Sequence, residues 1–373
     1  MLVWNDFWIS TEGSNLNVND EDLFIENARQ TVKRFRNHPS IAVWCPRNEG
    51  YATPTMAPRL ERLIAGEDGT RFYSPNSRYM NLRTSGPWHY IDEKEYFAVQ
   101  ACGFTTELGS PSVPTAESMR KFIPESERWP ISDTWYYHDL HFGLPEYCQA
   151  VDDLYGKAES LDDFCRKAQL LNIEANKAMY EGWQHHMWND ATGVLTWMSQ
   201  SAYPSFVWQT YDYYYDLNGA YWGVRKACEP VHVQWSYADN TVKAVNATLR
   251  GYEGAHVTAT VYDMEGREVK RYSREATLTV HPNSAVEALR LPLPADGNLA
   301  RGKRAVCSSS GVTDYHAAEA VTDGKYGVGV VGHRRRKGWV YVDRGRSDVV
   351  SRRSCCRGRA RWPRRYDVLV VGR

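Results

Sequence analysis

The sequence predicts an α/β body joined to an all-β segment. Three observations carry this. From residue 2 to about residue 198, short apolar runs alternate with helical periodicity, and a polar or aromatic loop follows each run. That order suits a parallel sheet with helices outside it, either doubly wound or closed as a barrel. After Cys228 the apolar spacing changes to period two, the mark of half-buried antiparallel strands. Pro292-Leu-Pro-Ala-Asp-Gly297 then reads as a linker, and the text beyond Val331 is arginine-rich.

Taken in order, residues 2–8 form a short apolar and aromatic strand. Asn19-Asp-Glu-Asp22 caps a helix that runs to about Arg36. Its start is acidic and its end basic (Lys33, Arg34, Arg36), which suits the helix dipole. Leu23, Ala28, Val32 and Phe35 are its expected apolar stripe. His38-Pro39 ends it, and residues 41–45 form a buried strand followed at once by Arg47-Asn-Glu-Gly50. A helix at 58–65, a strand at 70–73, an aromatic loop at 86–90, a strand at 103–107 and a helix at 114–122 continue the alternation. A long helix is expected from 161 to about 188, then a strand at 193–198. Segments 231–235, 241–249, 256–263, 274–280 and 285–291 read as a β-sandwich, with turns at Asp239-Asn240 and Glu265-Gly266.

The 373 residues balance 45 Lys+Arg against 45 Asp+Glu, a net charge of zero. The balance hides a split. Residues 328–373 hold 13 Arg and one Lys against three Asp, so they carry +11 and residues 1–327 carry −11. Aromatic residues are abundant, with 14 Trp and 24 Tyr. No apolar run reaches the ~18 residues of a membrane span. The first residues lack the basic start and apolar core of a signal peptide. Eight scattered cysteines in a chain this long are no disulfide framework. No CxxC or HExxH occurs, so a structural or catalytic zinc site has no support. His185 and His186 point about 100° apart on a helix, which favours aromatic packing over metal binding. Gly327–Gly332 matches GxGxxG but lacks the strand and helix of a dinucleotide site. Asn246-Ala-Thr248 is a formal glycosylation sequon inside a strand.

Two glutamates stand out by position. Glu49 follows the strand at 41–45, and Glu107 ends the strand at 103–107. Groups just past the C-termini of barrel strands converge on one face. Two carboxyls across a pocket suit glycosidic cleavage: one donates a proton to the leaving oxygen, the other attacks the anomeric carbon or activates water. Glutamates at such places are also common caps and ion-pair partners, so position alone does not decide.

The surrounding text is more specific. Asn37-His-Pro-Ser-Ile-Ala-Val-Trp-Cys-Pro-Arg-Asn-Glu49 resembles the acid/base segment of glycoside hydrolase family 2. Gly103-Phe-Thr-Thr-Glu-Leu-Gly-Ser-Pro-Ser-Val-Pro114, with Thr-Ala-Glu-Ser-Met-Arg after it, resembles that family's nucleophile segment. Leu2-Val-Trp-Asn-Asp-Phe-Trp8 resembles its third barrel strand, and Tyr221-Trp-Gly-Val-Arg-Lys-Ala-Cys-Glu-Pro230 the helix that closes the barrel. The flavour is that of the β-mannosidase and exo-β-glucosaminidase branch, over about residues 1–290. The resemblance implies an incomplete (β/α)8 TIM barrel, about strands 3–8, at 1–229, and an immunoglobulin-like β-sandwich at 230–293. It implies a retaining exo-β-glycosidase, needing no cofactor and no metal, with Glu49 as acid/base and Glu107 as nucleophile. Asn48 would bond the C2 substituent of the sugar, and Asp6, Trp88, His89 and Trp197 would line its pocket. β-Mannoside, β-glucosaminide and β-galactoside all stay open as substrates. The partner is an oligo- or polysaccharide, not nucleic acid or a membrane, and the family's compartment is extracellular or periplasmic. Family members carry β-domains and two barrel strands ahead of the point where this sequence starts, so little activity is expected of the isolated chain. The alternative is an inactive carbohydrate-binding fragment.

Residues 298–310 and 317–324 resemble the opening of a discoidin-like (F5/8 type C) carbohydrate-binding module, and 338–343 and 366–370 resemble its later strands. This suggests a partial module at 298–373. Arg-rich islands at 333–337 and 352–361 interrupt it. Out-of-frame translation of GC-rich coding sequence, a diverged module and phosphate binding all fit such islands. Intact strands on either side favour the first.

Overall fold

A computed structural model describes residues 2–10, 18–78, 85–139, 142–262 and 267–293, together with strands at 305–307, 340–342 and 368–370. The chain divides into two compact units: Met1–Leu144 with Ala168–Cys228, and Pro145–Lys167 with Glu229–Arg373.

In the first unit, β1 (Val3–Asp6), β2 (Ile41–Cys45) and β3 (Phe72–Tyr73) pair in parallel in that order. Helices α1 (Glu21–Phe35) and α2 (Ala57–Glu67) connect them. Asp20 caps α1 by accepting the Leu23 amide at 2.9 Å, which satisfies one of the orphan donors of the first turn. Its acidic start and basic end agree with the sequence reading, but the apolar stripe is rotated. Phe24, Ile25, Ala28 and Val32 are buried, whereas Leu23 and Phe35 are exposed. The spacing 24, 25, 28, 32 follows the 3.6-residue period more closely than 23, 28, 32, 35 does. These side chains share a core with Phe7, Trp44, Met56, Leu60 and Ile64, so β1, β2 and both helices are locked by one apolar cluster.

A second parallel pair is β4 (Gly103–Thr105) with β5 (Ala191–Val194). A short helix α3 (Glu93–Glu95) runs into a π-helical turn, Tyr96–Gln100, just before β4. Between β4 and β5 lie α4 (Ala116–Phe122), α5 (Asp133–Tyr136), α6 (Leu144–Tyr155) and α7 (Leu161–His185), and α8 (Gly219–Ala227) follows β5. Five parallel strands therefore stand among the described residues where six were expected, in sheets of three and two. The strand expected through Glu107 stops at Thr105 because its partner changes. Leu195 N–H bonds the Thr105 carbonyl at 2.9 Å, but Gly86 N–H takes the Glu107 carbonyl at 2.8 Å.

His185 and His186 behave as an aromatic pair. Their rings are 5.2 Å apart, and His185 meets Phe97 edge-on at 5.6 Å. Among the described residues no group of three or more His, Cys, Asp or Glu is placed to hold a metal ion, and no helix is long and apolar enough to cross a membrane. Five cysteines there are free thiols.

In the second unit, β6 (Val231–Trp235), β7 (Thr241–Asn246) and β10 (Ser284–Arg290) form one antiparallel sheet, in the order β10-β7-β6. β8 (Tyr252–Val261) and β9 (Arg274–Val280) belong to another. Val242, Ala244, Val257, Ala259, Val261 and Val280 from both sheets fill one core. Their alternation is the period-two signal seen in the sequence. The sequon Asn246 is fully buried. Its amide donates to the Arg250 and His281 carbonyls at 2.6 and 2.9 Å, and its Oδ1 accepts from Thr248. It staples a strand end and is not presented for glycosylation.

The discoidin-like expectation is not supported. β11 (Ala305–Cys307) pairs with β12 (Val340–Val342), but β13 (Val368–Val370) pairs with β8 of the preceding sheet. Most of 298–373, including the Arg-rich islands and the GxGxxG match, lies outside the described residues.

Candidate active site

The parallel register places the site. Asp6 at the end of β1 sits opposite Cys45 at the end of β2, and the chain past each strand leads into the same region. Phe7 N–H bonds the Cys45 carbonyl at 2.8 Å, and Asn48 N–H bonds the Ile9 carbonyl at 3.0 Å. These bonds turn Asn48 and Glu49 back over the strand ends. Glu49 adopts φ of 45°, a left-handed conformation costing on the order of 1–3 kcal/mol in a non-glycine residue. Its amide is held by Ser77 Oγ at 2.8 Å, and one carboxyl oxygen, Oε1, accepts from Ser85 Oγ at 2.7 Å. Leaving that buried amide unpaired would cost about 1–3 kcal/mol, so Ser77 helps offset the strain.

Ser77 also donates to Asn48 Oδ1 at 2.8 Å. This fixes the Asn48 amide and turns its Nδ2 donors away from Ser77.

Glu107 is held by main-chain bonds. Gly86 N–H reaches its carbonyl, Gly109 N–H bonds the Pro87 carbonyl at 3.0 Å, and Trp197 N–H bonds the Leu108 carbonyl at 3.0 Å. Gly109 has no room for a side chain: a Cβ there would clash with the Trp197 carbonyl oxygen and meet Trp208 at 2.8 Å. Thr106 Oγ1 donates to the Ser77 carbonyl at 2.6 Å.

Both glutamates are buried, each 8% exposed. Burial first, then the Glu49 and Asp6 carboxylates, push the Glu107 carboxyl up to about 7, with Arg78 acting the other way. The Glu49 and Asp6 carboxylates thus both act electrostatically on Glu107. Burial of its carboxyl raises Asp6 as well, although Cys45 and Trp4 donate to it; the Trp4 bond is 2.8 Å long. The residue as a whole keeps contact with solvent. Burial and the Asp6 charge together keep the Cys45 thiol protonated, well above the ordinary thiol range.

The expected aromatic residues divide. Trp197 is 45% exposed and follows β5, directly bonded to the Glu107 segment. The Trp88 carbonyl accepts Trp208 Nε1 at 2.7 Å, with the two rings 6.5 Å apart. His89 is exposed and makes no hydrogen bond to Glu49, Glu107, Asn48 or Asp6 among the described residues.

Sequence reasoning missed Ser77, Ser85, Thr106, Arg78 and Trp208. Ser77 had a usable signal. It lies just past β3, as Glu49 and Glu107 lie just past β2 and β4.

Residues 5–187 match the family model described as "Glycosyl hydrolases family 2, TIM barrel domain". A mannosylglycoprotein endo-β-mannosidase of Lilium longiflorum is 30% identical over 324 residues, covering 71% of this chain and 34% of the relative. An exo-β-D-glucosaminidase of Streptomyces avermitilis is 33% identical over 289 residues, covering 71% and 32%. The crystal structure of an Amycolatopsis orientalis exo-chitosanase superposes with a TM-score of 0.66 at 26% identity, covering 73% of this chain and 35% of that one. The chain thus spans about a third of the length of the curated relatives it matches. The part of the chain that holds both glutamates is similar to the TIM barrel domain of glycosyl hydrolases family 2, and its fold is a partial TIM barrel.

Proposed function

We propose that the chain carries the catalytic carboxyls of a retaining exo-β-glycosidase acting on terminal β-linked sugars. One observation carries the reading: two buried glutamates lie just past parallel strands, and burial, with the Glu49 and Asp6 charges after it, raises Glu107 to about 7. A carboxyl raised in this way keeps its proton to near neutral pH, and double displacement needs one proton across two carboxyls. The reaction requires Glu107 ionised and Glu49 protonated. Glu107 attacks the anomeric carbon while Glu49 protonates the departing glycosidic oxygen, and the C–O bond breaks. Water then gives a proton to Glu49 and its oxygen to the anomeric carbon, releasing Glu107. Asn48 bonds the C2 substituent, Asp6 accepts from a sugar hydroxyl, and Trp88 and Trp197 offer ring faces to sugar C–H groups. His89 would be a further residue lining the sugar pocket. β-Mannosides, β-glucosaminides and β-galactosides are the candidate substrates, and β6–β10 would be the immunoglobulin-like domain that follows the barrel.

Incubation with activated 2-deoxy-2-fluoro-β-glycosides of the three sugars tests this. The expected result is a mass adduct on the peptide containing Glu107, with the β-anomer as the first product of ordinary turnover. An adduct elsewhere, or an α-anomer released first, overturns it.

A further inference from the structure

We infer that Ser77 is a positioning residue for this reaction, joining the acid/base arm and the nucleophile arm through one buried side chain and its own carbonyl. The inference rests on the proposed glycosidase reading for its catalytic meaning. Its geometry stands alone.

Ser77 is 2% exposed. Its hydroxyl accepts from Glu49 N–H and donates to Asn48 Oδ1, both at 2.8 Å. Its carbonyl accepts from Thr106 Oγ1 at 2.6 Å. One residue thus touches Asn48 and Glu49 on one side and the neighbour of Glu107 on the other. The single Ser77 proton goes to Asn48, so the Glu49 amide meets a lone pair and both bonds form at once. An alanine at 77 loses both, whereas a threonine keeps the hydroxyl. Neighbouring bonds fix the residue itself: Ser74 Oγ donates to the Asn76 carbonyl at 2.6 Å, and Arg78 N–H donates to Asn76 Oδ1 at 2.8 Å. The loop around Ser77 thus has hydrogen bonds of its own, apart from those to the groups Ser77 positions.

Glu49 has a left-handed backbone that nothing in its own sequence favours. Releasing its amide lets the residue relax and carries its carboxylate away from Glu107. The part of the raised Glu107 proton affinity that Glu49 contributes, after burial, is then lost. Turnover falls as well, because misplacing a catalytic group by about 1 Å costs on the order of 10²-fold.

The test uses the full 373-residue chain as wild type, Ser77→Ala, Ser77→Thr and Thr106→Val. The Glu107 carboxyl is followed by ¹³C NMR of labelled glutamate, assigned with Glu107→Gln, alongside kcat and KM on nitrophenyl β-glycosides. The expected result for Ser77→Ala is a lower Glu107 midpoint and a loss of about 10²-fold in kcat that exceeds any change in KM. Ser77→Thr should return both toward wild type. A folded Ser77→Ala chain with wild-type midpoint and kcat overturns the inference. If Ser77→Ala does not fold, Thr106→Val decides, since it severs the other arm while keeping side-chain shape: an unchanged midpoint overturns the inference there. Shifted midpoints in a chain whose wild type turns over none of the glycosides would sink the glycosidase reading and leave the positioning role standing.

Discussion

The two glutamates occupy matching places, just past β2 and β4, yet the chain holds them by different means. Glu49 is held by hydroxyls, through Ser77 on its amide and Ser85 on its carboxyl. Glu107 is held by a main-chain ladder to residues 86, 87 and 197, packed against a glycine that admits no Cβ. A hydroxyl can rotate and follow a moving group, whereas a ladder fixes a position. An acid/base must serve a leaving oxygen and then a water, while a nucleophile must meet one carbon along one line. The difference in support matches the difference in proposed role, and each prediction below strains one arm against the other.

The largest effect falls on the fixed arm. Glu107→Gln should lower turnover on the order of 10⁴–10⁶-fold, the scale seen when a covalent nucleophile or its partner is removed. Nitrophenyl glycoside hydrolysis measures it directly. Glu49→Gln should lose less, on the order of 10²–10⁴-fold, the usual worth of a general acid. Its loss should shrink on substrates with acidic leaving groups, which need no proton, and added azide should restore release of the sugar. If the leaving group changed the Glu107→Gln loss and not the Glu49→Gln loss, the two roles would be exchanged.

How far the sequence could show this difference depends on what made each feature local. The α1 cap at Asp20 and the alternation of β7 and β8 are written in neighbouring residues, and the structure has them. The positions of Glu49 and Glu107 were legible because motif text and strand ends coincide. The bonds that distinguish the arms were not, since Ser77 lies 28 residues from Glu49 and Ser85 lies 36 away. Helix α6 was missed because its pattern runs on from the aromatic loops before it. The α1 stripe was misphased because Leu23 and Phe35 are as apolar as the buried Phe24 and Ile25. The pairing of Val368–Val370 depended on which sheet edge was open, something no local pattern records.

The next prediction concerns stability rather than rate. Glu107 is raised to about 7 in the folded chain, against about 4.3 when unfolded. Between those values the folded state binds the extra proton, so stability is greatest below about pH 4.3 on this account, falls as pH rises through 7, and is level above. The fall is on the order of 3 kcal/mol. Glu107→Gln removes the ionisation, so the variant should unfold at higher urea than wild type at pH 8 while being inactive. Urea titrations at pH 5 and pH 8 check it. An equal pH dependence in both proteins would place the burden on other groups.

The smallest effect separates the arms most directly. Ser85→Ala removes a 2.7 Å bond to the Glu49 carboxyl, and Thr105→Val removes a 3.2 Å bond from Thr105 Oγ1 to the Glu107 carbonyl. Both side chains are buried, and each change deletes one hydroxyl. On the hydroxyl-held arm this is the bond that fixes the Glu49 carboxyl, which can swing without it; kcat should fall about tenfold, equivalent to about 1.4 kcal/mol. On the ladder-held arm the Gly86 amide still bonds the same Glu107 carbonyl, so kcat should stay within about twofold. Parallel kinetics on the two variants, with melting curves to show both are folded, give the ranking. If Thr105→Val proved the more damaging, hydroxyl support and ladder support would not differ as the geometry says, and the match between support and role would fail.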